Sequence, residues 1–169
     1  MYAAHLAAGL AIKSRAPQAP TWALLTGAFV PDLLWIPLAA SGVEPTAPAT
    51  FFDDWSHSLL TTIVWATLFA AMFWRRGAAV AGPIWLAVLS HFLLDLPIHP
   101  RELALYPHSA AHLGLGLHQV DKATYWWVQL AVVAALTLVF VLGARQQRVP
   151  ARWIAAACLV LFSLHLLMR

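Results

Sequence analysis

Long apolar runs alternate along the chain with short polar, basic or proline-bearing connectors. The apolar segments cover Tyr2–Ile12, then about Thr21–Ala40, Trp55–Trp74, Ala78–Leu96, Ala123–Gly143 and Ala151–Met168. Most approach the roughly 20 residues that a helix needs to cross a bilayer. Backbone groups in lipid must pair within their own segment, so such runs predict helices. The pattern predicts an all-α integral membrane bundle of about five to six transmembrane helices. Tyr2–Ile12 is short for a full span. Tryptophans 22, 55, 74, 126, 127 and 153 fall near segment ends, as in an interfacial belt.

Composition sharpens this picture. The chain of 169 residues is 62% hydrophobic and 10% charged, against about 25% charged in soluble domains. That leaves too few polar residues for a water-facing surface, and the length suits one membrane domain over residues 1–169. Residues 1–121 carry the candidate chemistry, and 122–169 supply two C-terminal transmembrane helices. There is no internal repeat. The first basic residues follow the N-terminal apolar run, unlike a secretory signal, so this run is read as part of the mature protein. The single cysteine, Cys158, excludes an internal disulfide and a cysteine-based metal site.

The net charge of +3 reflects topology rather than nucleic-acid binding. Lys13 and Arg15, Arg75 and Arg76, and Arg145, Arg148 and Arg152 occupy alternate connectors, which an alternating bundle places on one side. The positive-inside rule makes that side cytoplasmic. The loops Ser41–Asp54 and Pro97–Asp121 then face outward.

Charged groups within apolar spans are costly and usually functional. Asp32 lies inside the second segment. Asp54 and His57 open the third, three residues apart; His91 and Asp95 end the fourth, four apart; each pair is expected to share a helix face. His5 lies near the outer end of the first segment. Histidine nitrogen and carboxylate oxygen are good ligands for a divalent metal such as zinc. His5, Asp32, His57, His91 and Asp95 are therefore the candidate ligands, with Asp54 to orient a water or act as general base. The bland alternatives are an N-cap for Asp54, an interhelical pair for His91 and Asp95, a surface role for His5 and a plain apolar setting for His165. His99 is placed near the site. Arg101 and Lys122 suit attraction of an anionic substrate or anchoring at the interface. His108 and His112 have the spacing of a second metal pair, or of a short amphipathic segment over the bundle mouth.

His5, Pro31-Asp32, Ser56-His57-Ser58 and His91-Phe-Leu-Leu-Asp95 resemble, in order and spacing, the bacterial family of LexA-regulated, membrane-bound, metal-dependent hydrolases, the YdjM-like proteins. The likeness covers roughly residues 1–120. His91–Gly116 looks like a branch of small membrane proteins. The resemblance implies a hydrolase of the bacterial inner membrane with metal ligands at His5, Asp32, His57, His91 and Asp95. Leu34 stands where the family tends to have a second acid, and Asp53-Asp54 where it tends to have His-Arg, which counts against two metals. The leading expectation is a membrane-embedded hydrolase with an outward-facing site and one divalent metal, zinc first, acting on a lipid or other amphipathic substrate, a phosphoester first. The rivals are a non-catalytic accessory subunit of a membrane complex, a small transporter, and haem ligation through His91.

Overall fold

The computed structural model describes residues 2–47, 50–99 and 103–167, and these are helical with no strand beyond one isolated β-bridge. The helices are α1 (Tyr2–Arg15), α2 (Thr21–Gly27), α3 (Val30–Ala40), α4 (Asp54–His57), α5 (Leu59–Ala71), α6 (Ala78–Asp95), α7 (Leu117–Val120), α8 (Lys122–Gln146) and α9 (Ala151–Leu167). Each apolar segment of the sequence is helical, but the helices are shorter or more broken than a six-span bundle requires. The 18-residue α6 and the 25-residue α8 are long and apolar enough to cross a membrane. The pair α2 and α3 meets the same test together, bent by 54° at its break, so two or three helices qualify by length and composition. The apolar α5 and α9 are shorter.

Proline and serine explain the breaks. Pro31 enters the first turn of α3 and has no N–H to offer the preceding turn. The expected continuous second segment is accordingly two helices. Ser58 is extended (φ −67°, ψ 157°) and caps α5 by accepting from the Thr61 N–H, so the expected third segment is likewise divided. Asp121 caps α8 by accepting from the N–H groups of Ala123 and Thr124. Inside α6, Pro83 cannot bond the Ala79 carbonyl, and the Gln18 side-chain amide donates to that oxygen instead at 3.0 Å.

The core is centred on α1, which packs against α2, α6, α8 and α9. Its buried face is Ala3, Ala4, Ala7, Ala8 and Ala11. Small residues let backbones approach closely, a common device where burial from water does not drive helix association. The approach is tightest at Gly143 of α8, where a Cβ would lie 2.7 Å from the Ser14 carbonyl oxygen. The Gln147 amide donates to that same oxygen at 2.6 Å.

These contacts order the two ends of the molecule. Gln18 on Ala79 and Gln147 on Ser14 bring the connectors carrying Lys13 and Arg15, Arg75 and Arg76, and Arg145 and Arg148 to one end. His5 at the start of α1 and Asp95 at the end of α6 lie at the other.

Candidate metal centre

Four helices deliver the five predicted ligands to one place. His5 comes from the first turn of α1, Asp32 from the first turn of α3, His57 from α4, and His91 and Asp95 from the last turns of α6. The i, i+4 spacing on α6 puts His91 Nε2 3.1 Å from Asp95 Oδ2. His5 Nε2 lies 3.3 Å from Asp95 Oδ1. His57 Nε2 lies 3.3 Å, and His91 Nε2 3.7 Å, from Asp32 Oδ1. Two groups result, His5–His91–Asp95 and Asp32–His57–His91, and within each the donor atoms lie within 4.8 Å of one another. They share His91. These buried groups could hold a metal ion.

The helix break sets the orientation of His91. Its Nδ1 lies 2.8 Å from the Ala28 carbonyl oxygen, between α2 and α3. A carbonyl only accepts, so Nδ1 carries the proton. In the neutral ring Nε2 then presents a lone pair to Asp32 and Asp95. A lone pair facing two carboxylates at such distances is repulsive unless a cation lies among them.

A proton on one ring would be one such cation, and a metal ion another. The His5 and His91 rings stack at 4.0 Å, and His57 lies 5.3 Å from His91, so protonating these rings crowds like charges. With the three imidazoles neutral, Asp32 and Asp95 leave two negative charges for a divalent ion. The four His–Asp donor separations run from 3.1 to 3.7 Å, and ligands about 2.0–2.2 Å from one tetrahedral ion stand roughly 3.3–3.6 Å apart.

Burial is uneven. The His5 and His91 side chains are 1% exposed and Asp32 32%, so the cluster meets its surroundings at Asp32. Tyr2 stacks on Phe29 and His5 meets Phe29 edge-on beside it.

The remaining candidates separate. Asp54 does not face the cluster. Its carboxylate accepts from the His108 backbone N–H at 2.8 Å and ties down the following loop. The single-turn α4 ends at Ser58, so the face expected to be common to Asp54 and His57 does not extend into α5. The exposed His108 ring stacks on Phe52, and the exposed His112 lies in the β-bridge opposite Ala104. Neither joins the two ligand groups. Lys122 opens α8 and is exposed. Arg101 lies outside the described residues, as does the His118 side chain.

His99 is near, its ring 5.8 Å from that of His57 and its Nε2 3.5 Å from Asp53 Oδ2. Burial pulls the His99 imidazole down to about 4, against the opposing charge of Asp95. Burial pushes the Asp53 carboxyl up to about 6, with Glu44 and Asp54 adding to the rise and His57 opposing it. For both groups loss of water outweighs the neighbouring charges.

Sequence reasoning missed Glu44. It stands alone in a proline-containing loop, where a carboxylate is ordinarily solvated, and no spacing ties it to the other acids. In the fold it is completely buried, and its carboxylate accepts from the Ser56 N–H and Oγ–H at 2.8 Å each. The Ala28 carbonyl was equally hidden, because a main-chain atom leaves no mark on the sequence.

Comparison with protein-family models, characterised proteins and solved structures found no match for the chain.

Proposed function

We propose that the protein is a membrane-embedded, metal-dependent hydrolase that uses one divalent ion, zinc first, to cleave an amphipathic phosphoester. The observation that carries this reading is His91: its Nδ1–H is committed to Ala28, and its Nε2 lone pair points at two carboxylates. Metal-binding histidines characteristically donate their other ring N–H in this way. The ion's ligands would be drawn from His5, His57, His91, Asp32 and Asp95, with His91 common to both groups. When bound, it would act as a Lewis acid and lower the pKa of a water toward about 7.

The chain's own groups supply the rest. Asp32, at the exposed edge, lies where substrate meets the cluster. His99 stands beside the cluster, its ring 5.8 Å from that of His57 and its Nε2 3.5 Å from Asp53 Oδ2, and helps to fix the polar wall next to the ligands. Burial of the cluster excludes bulk water and strengthens its electrostatics.

The setting favours a lipid-like substrate. Large apolar side chains stand exposed around the helices, among them Leu68, Met72, Leu138 and Leu159, as they would against acyl chains. We read α1, α5 and α9 as further membrane-inserted segments, with the basic end cytoplasmic and the metal end outward.

The test is turnover by the zinc-supplied protein in detergent, on chromogenic alkyl phosphoesters and on phospholipid vesicles. Product release abolished by chelation and by His57→Ala supports the reading. No turnover across these substrates by protein that retains zinc contradicts it and favours a structural metal in an accessory subunit.

A further inference from the structure

We propose that Glu44 is a positioning residue for this centre: acting through Ser56, it locks His57 in the tautomer that turns an Nε2 lone pair toward Asp32. The inference rests on the metal-site reading above, and it adds a residue and a hydrogen-bond relay to it.

The argument is a count of protons. Ser56 Oγ has three acceptors near it: Glu44 Oε2 at 2.8 Å, the Asp53 carbonyl at 3.0 Å and His57 Nδ1 at 2.6 Å. A hydroxyl has one proton to give. Glu44 is completely buried, and its Oε1 accepts from the Ser56 N–H. A buried carboxylate has the strongest claim on a donor, because charge-assisted bonds exceed neutral ones and a stranded charge is costly. The Ser56 proton therefore goes to Glu44. Ser56 Oγ then accepts, and the short contact with His57 is a bond donated by Nδ1–H. Nε2 is left deprotonated, 3.3 Å from Asp32 Oδ1. Thus Ala28 does for His91 what the Glu44–Ser56 pair does for His57, by different chemistry.

A purely structural role would look similar in stability experiments. The Ser56 N–H belongs to the first turn of α4, so Glu44 also caps that turn from a distance. Capping does not dictate which nitrogen of His57 holds the proton, and the tautomer separates the two roles.

The experiment is nitrogen-15 NMR of His57 in the full-length, detergent-purified, metal-free protein, above the pH at which the ring becomes neutral. Zinc affinity is measured alongside. The unmodified protein is expected to show the Nδ1–H form. In Glu44→Gln the new amide can donate to Ser56 Oγ and free the hydroxyl to donate to His57. The Nε2–H form should then rise, and zinc affinity should fall about 10–100-fold. Ser56→Ala, which keeps the glutamate but removes the hydroxyl between it and His57, should give the same two changes, and Ser56→Thr should restore both, which covers the case in which Glu44→Gln fails to fold. An Nδ1–H tautomer unchanged in Glu44→Gln or in Ser56→Ala would overturn the proposal. The tautomer is read without metal. A relay that responds to Glu44 in a protein that takes up no zinc would uphold the positioning role and sink only the hydrolase reading.

Discussion

His91 donates its Nδ1–H to the carbonyl of Ala28 across 2.8 Å, and this bond links the break between α2 and α3 to the ligand cluster. The break depends on Pro31, which has no N–H for the turn before it. Pro31→Ala supplies an N–H for the Gly27 carbonyl, favours a straighter helix and so turns the Ala28 carbonyl toward the Asp32 N–H of the helical ladder. His91 would lose the partner that orients it. The expected outcome is zinc affinity about 10-fold weaker, within the range seen for lost outer partners of metal-bound histidine, read by competition with a chelating dye. Unchanged affinity would mean that Ala28 does not orient His91.

Asp53 and His99 give opposite pH dependences. The folded state raises Asp53 from 3.8 to about 6, so its contribution is fullest at low pH and is lost as pH rises through about 6. It lowers His99 from 6.5 to about 4, so that contribution is full above 6.5 and is lost as pH falls toward about 4. The slopes oppose each other in the unmodified protein. Relative to the unmodified protein, Asp53→Asn should make stability of the metal-free protein rise more steeply with pH between about 4 and 6, and His99→Phe should make it rise less steeply, or fall, between about 4 and 6.5. Thermal midpoints in detergent at three pH values check this, and parallel slopes in the two variants would refute it.

Gly143→Ala tests the packing of α8 on α1. The added methyl would meet the Ser14 carbonyl oxygen at 2.7 Å, a main-chain atom that cannot rotate away. Overpacking of this kind costs about 1–3 kcal/mol. The thermal midpoint should drop by several degrees, while zinc stoichiometry at low temperature stays unchanged because the clash lies at the basic end. A midpoint equal to that of the unmodified chain would show that α1 and α8 stand further apart.

Gln18 and Pro83 are coupled through the Ala79 carbonyl. Gln18→Ala should cost about 0.5–1 kcal/mol, the usual net worth of one hydrogen bond. With Pro83→Ala already present, the helix supplies its own N–H for that carbonyl, and the same change should cost nearly nothing. A double-mutant cycle measures the difference. Equal costs in both backgrounds would show that Gln18 does not serve the proline gap.

Much of this organisation was legible in the sequence because it is local or expensive. Apolar runs announced the helices. The acids and histidines stood out because charge inside such runs has few innocent explanations, and His91–Asp95 followed from helical periodicity alone. The expected continuity of the second and third segments was undone by Pro31 and Ser58, whose effects depend on main-chain geometry that composition does not display. Asp54 found a partner that sequence spacing does not show: its carboxylate accepts from the His108 main-chain N–H, 54 residues away. Glu44 stayed hidden because its burial depends on how a loop folds back over α4, which no periodicity encodes.

The central claim is that the histidines and aspartates hold a divalent ion, and elemental analysis of the detergent-purified protein supplied with zinc tests it most directly. The account predicts close to one zinc per chain, lost in both His57→Ala and His91→Ala while each variant remains folded. Well-folded, unmodified protein that takes up no zinc or other divalent metal would contradict it.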